Sequence, residues 1–142
     1  MNGRSTSLRF RFLVAMQGAL GIGANLNHWS EQDFELATKM VASYKRIRPT
    51  IQSGDLYRLS SPRTNDLTAN EYVASDGSEA VLFAFRHSHQ YNTAPPTIYL
   101  RGLQTRALYR LEFIDAKLIE KQPELSGAYD EPWVEPNPTW RF

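Results

Sequence analysis

The sequence predicts a mainly β protein in which one β/α unit precedes an antiparallel β domain. An apolar run at residues 12–16 leads through a glycine-broken loop into an amphipathic helix. After Gly54 the periodicity changes from helical to alternating, and short strands follow at regular intervals between turn residues. This pattern is typical of a sandwich or a barrel.

The chain begins with residues 1–8, which are polar, show no periodicity and are predicted to be a disordered start. Residues 9–16 are the predicted first strand, because a nearly continuous apolar run suits a strand buried on both faces. Three arginines precede this run, which resembles a signal peptide in outline. The run breaks at Gln17 and at three glycines, so we expect no signal peptide and favour a cytoplasmic over a secreted protein.

The helix that follows has marked ends. Ser30 is the predicted N-cap, and Asp33 completes a capping box three residues later. Trp29 and Phe34 flank the start as a hydrophobic staple. Pro49 restricts the residue before it, so we expect the helix to end there.

The β domain has one clear hairpin. Residues 76–78 (Asp-Gly-Ser) separate predicted strands at 71–75 and 79–86, and the glycine supplies the positive φ that the turn needs. Residues 87–96 form a predicted polar loop. Further strands are predicted at Leu56–Leu59, Thr97–Arg101, Ala107–Phe113 and Ala116–Glu120.

The last segment, residues 129–142, is a predicted proline-rich tail. Three prolines in seven residues argue against a ladder-forming strand there. The predicted organisation is therefore a β/α unit at 9–50 and a β domain at 51–128, with the start and the tail outside both.

Composition excludes several kinds of function. Sixteen basic and fifteen acidic residues leave a net charge of +1, so no electrostatic argument favours nucleic acid or a membrane surface as partner. The chain has no cysteine, which excludes disulfides, thiolate nucleophiles and cysteine metal sites. His87 and His89 share one face of an extended segment but lack a third ligand, and we expect no metal or cofactor.

Several short motifs, in this order and at this spacing, resemble the C-terminal part of the family 36 glycoside hydrolases, the α-galactosidases. They are Val14–Gly18, Gly21–Ser30, Gly54–Leu59, Asn70–Val73, Ala80–Phe85 and Tyr99–Leu103. The resemblance covers roughly residues 9–128. It implies a catalytic (β/α)8 barrel, of which 9–50 would be the last β/α unit, followed by an antiparallel β-sandwich at 51–128.

The resemblance also implies a function. The family releases terminal α-D-galactosyl residues from melibiose- or raffinose-type oligosaccharides with retention, using two aspartates on earlier barrel strands. Neither aspartate motif occurs in this chain, so we predict no catalytic residue here and expect the isolated chain, as a fragment, to be inactive. Galactosides would be bound through the missing barrel, and the complete enzyme could form a homo-oligomer. The alternative is a non-catalytic β-sandwich that binds carbohydrate or is purely structural.

One loop is a candidate for contact with substrate. It follows the C-terminal end of the predicted strand, the end at which (β/α)8 barrels build their active sites. Asn25, Asn27 and His28 could hydrogen-bond sugar hydroxyls, and Trp29 could stack on a sugar ring. Each also has a structural alternative: asparagines suit turns, a lone histidine suits the surface, and the tryptophan suits the staple.

Overall fold

A three-stranded antiparallel sheet lies at the centre of the protein, with two helices packed on one face. The computed structural model describes residues 6–64, 66–86, 97–114, 133–134 and 140–141. Its helical elements are α1 (Leu8–Ala15), a 3-10 turn (Leu26–His28) and α2 (Glu31–Ser53). Its strands are β1 (Asp55–Ser60), β2 (Leu67–Val73), β3 (Ala80–Arg86), β4 (Thr97–Ile98), β5 (Tyr109–Arg110), β6 (Trp133–Val134) and β7 (Trp140–Arg141).

Every strand pair in the described part of the chain is antiparallel. The central sheet has the order β1-β2-β3, while β4 pairs with β7 and β5 pairs with β6. In the central sheet Glu71 lies opposite Tyr57 on one side and Leu82 on the other. These pairings confirm the predicted mainly β fold and are consistent with an antiparallel β-sandwich.

Alternation along the strands gives the sheet two apolar faces. Tyr72, Val81 and Phe83 pack on the helices, and the rings of Tyr72 and Phe83 meet edge-to-face at 6.1 Å. On the opposite face Leu67 and Ala69 pack against Ile98 of β4. The sheet is therefore covered by helices on one side and by later β segments on the other.

The predicted start of α2 is confirmed. The Ser30 amide donates to Asp33 Oδ2 at 2.9 Å, and the Asp33 amide donates to Ser30 Oγ at 3.2 Å. The rings of Trp29 and Phe34 meet at 5.5 Å, as expected of the staple. Two amides that would otherwise lack a partner in the first turn are satisfied in this way.

The predicted end of α2 at Pro49 is wrong, because the helix continues to Ser53. Proline removes one intrahelical hydrogen bond, but the residues after it are held by packing. Thr50 and Ile51 are 4% and 7% exposed, and the Gly54 amide donates to the Thr50 carbonyl at 3.0 Å. Burial of this last turn outweighs the local effect of the proline.

The predicted strand at 9–16 is also wrong, because residues 8–15 form α1. Ser7 caps this helix by accepting from the Phe10 amide at 3.2 Å. Phe12 and Met16, four residues apart, point into the core and are 4% and 0% exposed. A buried strand needs ladder partners on both edges, and none lies beside this segment in the described residues. A helix satisfies its own backbone, so the observed unit is helix, glycine loop and helix.

The predicted hairpin is confirmed. Gly77 has φ +69° in the turn, and the Ala74 amide donates to the Glu79 carbonyl at 2.9 Å. The strand before the turn, β2, begins four residues earlier than predicted, at Leu67. The predicted strand at Leu56–Leu59 is confirmed as part of β1.

The outer strands are shorter than predicted. The strand expected at 97–101 is observed only at Thr97–Ile98. The strand expected at 107–113 is observed only at Tyr109–Arg110. The predicted loop at 87–96 and the predicted strand at 116–120 lie outside the described residues.

The expectation that the tail forms no ladder strand is wrong at two places. Trp133–Val134 pairs with β5, and Trp140–Arg141 pairs with β4. A proline removes only its own N–H, so Trp133 and Val134, which follow Pro132, keep their donors. The boundaries at residues 9, 51 and 129 stay predictions, as does the disordered start, of which residues 1–5 lie outside the described part.

Candidate functional site

The loop between α1 and the 3-10 turn is anchored at its base by two tyrosines. Tyr72 of β2 donates to the main-chain carbonyl of Gln17 at 2.6 Å. Tyr44 of α2 donates to the carbonyl of Gly18 at 2.7 Å. The sheet and the long helix therefore hold two consecutive residues of the same loop.

Further hydrogen bonds strengthen this anchor. Asn70 Nδ2 donates to Gln17 Oε1 at 2.8 Å, and the Tyr44 hydroxyl accepts from the Leu20 amide at 3.3 Å. Tyr44 and Tyr72 are only 6% and 8% exposed. Burial raises the pKa of Tyr72 against the opposing charge of Arg58, so its hydroxyl stays protonated and donates at neutral pH.

The four predicted substrate-contacting residues lie together at the far end of this loop. Asn25, Asn27 and His28 are exposed in and beside the 3-10 turn, where Asn25 Oδ1 accepts from the Asn27 amide at 3.1 Å. Trp29 is partly buried on the core and contacts Phe34. The structural roles of Asn25 and Trp29 are therefore present, and contact of all four with a sugar stays a prediction.

Two carboxylates, those of Asp33 and Asp76, are engaged in local structure. The backbone amide of Ser30, together with its hydroxyl, lowers the pKa of Asp33 in the capping box. The hydroxyl of Ser78, together with its amide, lowers the pKa of Asp76 in the hairpin turn. Such groups stabilise helix ends and turns, in keeping with the predicted capping box at Asp33 and the predicted hairpin turn at Asp76.

Glu71 is a buried acid that the sequence reasoning missed. It is 0% exposed on β2, its Oε2 accepts from the Arg101 amide at 2.8 Å, and its Oε1 has no hydrogen-bond partner. Burial raises its pKa, while the amide and charge of Arg101 act in the opposite direction. The available signal was an acid at the centre of an otherwise apolar face of β2, which also carries Leu67, Ala69 and Val73. The predicted strand began at Glu71 and therefore lacked Leu67 and Ala69, so this pattern was not visible in it.

A small cavity lies on the sheet face opposite the helices. Its volume is about 160 Å³. Its lining residues are Leu59, Ser60, Leu67, Thr97, Ile98, Tyr99 and Arg101. The cavity is therefore separated by the sheet from the anchored loop.

No cluster of three or more histidine or acidic side chains that could hold a metal ion occurs in the described residues. His87 and His89 lie outside them. Neither α1 nor α2 combines the length and the apolar composition that a bilayer-spanning helix needs.

Comparison with known proteins identifies relatives over most of the chain. Residues 67–129 match the glycosyl hydrolase family 36 C-terminal domain. Alpha-galactosidase C of Emericella nidulans is 37% identical over 110 residues, covering 78% of this chain and 14% of the relative. Alpha-galactosidase 1 of Pediococcus pentosaceus is 35% identical over 130 residues, covering 90% and 18%. The chain thus spans less than a fifth of the length of these relatives.

Solved structures of α-galactosidases also superpose on this chain. The family 36 α-galactosidase AgaA of Geobacillus stearothermophilus superposes with a TM-score of 0.74 at 33% identity, covering 79% of this chain and 16% of that enzyme. An α-galactosidase from Lactobacillus brevis reaches 0.80 over 99% of this chain and 18% of its own; at 23% identity it supports the fold alone. The matched domain, the sequence relatives and the AgaA structure show that the chain belongs to glycoside hydrolase family 36 and corresponds to the C-terminal part of its α-galactosidases.

Proposed function

We propose that this chain is the C-terminal part of an enzyme that hydrolyses terminal α-D-galactosyl residues from melibiose- or raffinose-type oligosaccharides with retention. The observation that carries the proposal is that relatives matching 78–90% of the chain are α-galactosidases. Variants of the Geobacillus enzyme were solved with raffinose and with stachyose, which supports this class of substrate.

The chain's part in the reaction is to bind and position rather than to transfer protons. Retention needs two carboxyl groups about 5–5.5 Å apart, one as nucleophile and one as acid/base. Asp33 and Asp76 are each engaged by a nearby serine, Glu112 pairs with Arg46, and Glu71 is fully buried. The catalytic pair would come from the rest of the polypeptide, and the chain by itself is expected to be inactive.

The loop ending in the 3-10 turn is the proposed point of contact with substrate. Asn27 and His28 are exposed and carry donors and acceptors that match sugar hydroxyls. Asn25 and the exposed part of Trp29 complete the surface. The anchored base at Gln17 supports this role, because a binding residue must be held in place before the ligand arrives.

The test is the size and activity of the native protein, detected in source extract with an antibody raised against this chain. We expect a band several times larger than 16.3 kDa that co-purifies with α-galactosidase activity. A band at the size of the chain, without that activity, would contradict the proposal and favour the alternative of a non-catalytic β-sandwich. No partner among nucleic acids or membranes is proposed, and homo-oligomerisation of the complete enzyme stays a prediction.

A further inference from the structure

Gly21 and Gly23 are glycines that the described part of the chain does not itself require. Neither has φ in the left-handed region, and a Cβ at either position would meet no atom within 4 Å. At two other positions the structure does require glycine. Gly102 has φ +73°, and a Cβ on Gly54 would lie 2.5 Å from the carbonyl oxygens of Thr50 and Val73.

The same short stretch presents free backbone donors. The Gly18 amide donates to the Ala15 carbonyl at 3.3 Å, and the Leu20 amide donates to the Tyr44 hydroxyl. Beyond that point the amides of Gly21 and Gly23 donate to no acceptor within the described residues. The loop thus changes from an anchored base to an exposed backbone with unused N–H groups.

An exposed backbone without side chains allows a ligand to approach to hydrogen-bonding distance. Residues 17–27 contain no Lys, Arg, Asp or Glu, so the surface suits a neutral ligand rather than an ion. Sugar hydroxyl oxygens are neutral acceptors that match amide donors. The buried Tyr72 and Tyr44 donate to the carbonyls of Gln17 and Gly18 and keep the base of the loop in place.

We propose that the main-chain amides of Gly21 and Gly23 hydrogen-bond hydroxyl oxygens of the galactoside substrate, and that these residues are glycine because the sugar lies directly against the backbone. This rests on the proposed function. It assigns to the backbone of residues 21–23 a binding role separate from that of the side chains of the 3-10 turn.

The test uses the full-length native polypeptide that carries this segment, with raffinose as substrate. Gly21→Ala and Gly23→Ala should each raise KM by about tenfold, the effect of losing roughly one hydrogen bond, because the added methyl group keeps the sugar away. The melting temperature should not fall. Thr38→Ala, at an exposed position on α2 outside the loop, is the control, and KM should not change.

Each other outcome overturns the proposal in a recognisable way. An unchanged KM in both variants means that no sugar contacts this backbone. A lower melting temperature of the full-length variants means that another part of the polypeptide packs there, provided that the same substitutions leave the stability of the 142-residue chain unchanged. A full-length parent that does not hydrolyse raffinose overturns the proposed function itself, whereas an active parent with insensitive variants overturns only this inference.

Discussion

Tyr72 on the central strand donates a 2.6 Å hydrogen bond to the main-chain carbonyl of Gln17, which lies 55 residues earlier in the chain. Asn70, two residues before Tyr72 on the same face of the strand, holds the side chain of Gln17 as well. The β domain therefore holds the base of the loop that leads to the predicted substrate contacts.

Tyr72→Phe is expected to lower the free energy of unfolding by about 1–2 kcal/mol, because the partly buried Gln17 carbonyl loses its donor. Urea denaturation of the 142-residue chain measures the change. Tyr99→Phe is the control: it removes the same hydroxyl from a residue that is 57% exposed, and it should change stability little. Equal effects of the two substitutions would contradict the anchoring role.

Glu71→Gln is expected to change how stability depends on pH. Burial raises the folded-state pKa of Glu71 above its usual value of 4.5, so the folded state holds this proton more tightly than the unfolded state. The stability that the folded state gains from holding this proton is fully present below pH 4.5 and is lost as pH rises through the folded-state pKa of Glu71. Glutamine resembles the protonated acid at every pH. The Glu71→Gln protein should therefore become more stable relative to wild type as pH rises.

Melting temperatures of both proteins between about pH 4 and about pH 8 test this expectation. A difference between the two curves that stays constant over the range would show that Glu71 does not titrate as the buried site requires. Glu35→Gln, at an exposed position on α2, is the control and should run parallel to wild type.

Gly54→Ala is expected to destabilise the chain by about 2–3 kcal/mol. The new Cβ would lie 2.5 Å from the carbonyl oxygens of Thr50 and Val73, both of which belong to backbone that cannot move without disturbing α2 or β2. Thermal unfolding compared with Gly18→Ala, where the methyl group meets no atom within 4 Å, measures the difference. A neutral Gly54→Ala would mean that the end of α2 is not packed as described.

Ser30→Ala is expected to cost about 1 kcal/mol through loss of the N-cap. Ser53→Ala, at the exposed last residue of the same helix, is the matched control. Urea denaturation of the 142-residue chain gives both values. If the two substitutions cost the same, the capping box does not contribute to stability.

Asn27→Ala and His28→Ala are expected to raise KM for raffinose in the full-length polypeptide by about tenfold each, if each side chain contributes one hydrogen bond to the sugar. Both side chains are exposed, so the melting temperature should stay the same. Unchanged KM values would leave these two residues as surface residues of a turn. Thr38→Ala, exposed on α2 away from the loop, serves as the control.

Features that depend on neighbours in the sequence could be predicted from it. The capping box at Ser30 and Asp33, the staple of Trp29 and Phe34, and the turn at Gly77 each join residues only a few positions apart. Their hydrogen bonds and ring contacts form whenever the local backbone is right, so residue type and spacing suffice. The family resemblance also needs the sequence alone, because it rests on the order and spacing of short motifs along the chain.

Tertiary packing decided the rest. The run at residues 9–16 is apolar enough for a buried strand or a buried helix, and only the placement of Phe12 and Met16 against α2 and the sheet selects the helix. Burial of Thr50 and Ile51 likewise carries α2 past Pro49. The anchor between Tyr72 and Gln17 and the burial of Glu71 need partners 55 and 30 residues away. Such contacts depend on which surfaces meet when the chain folds, and no local pattern of residue types encodes that.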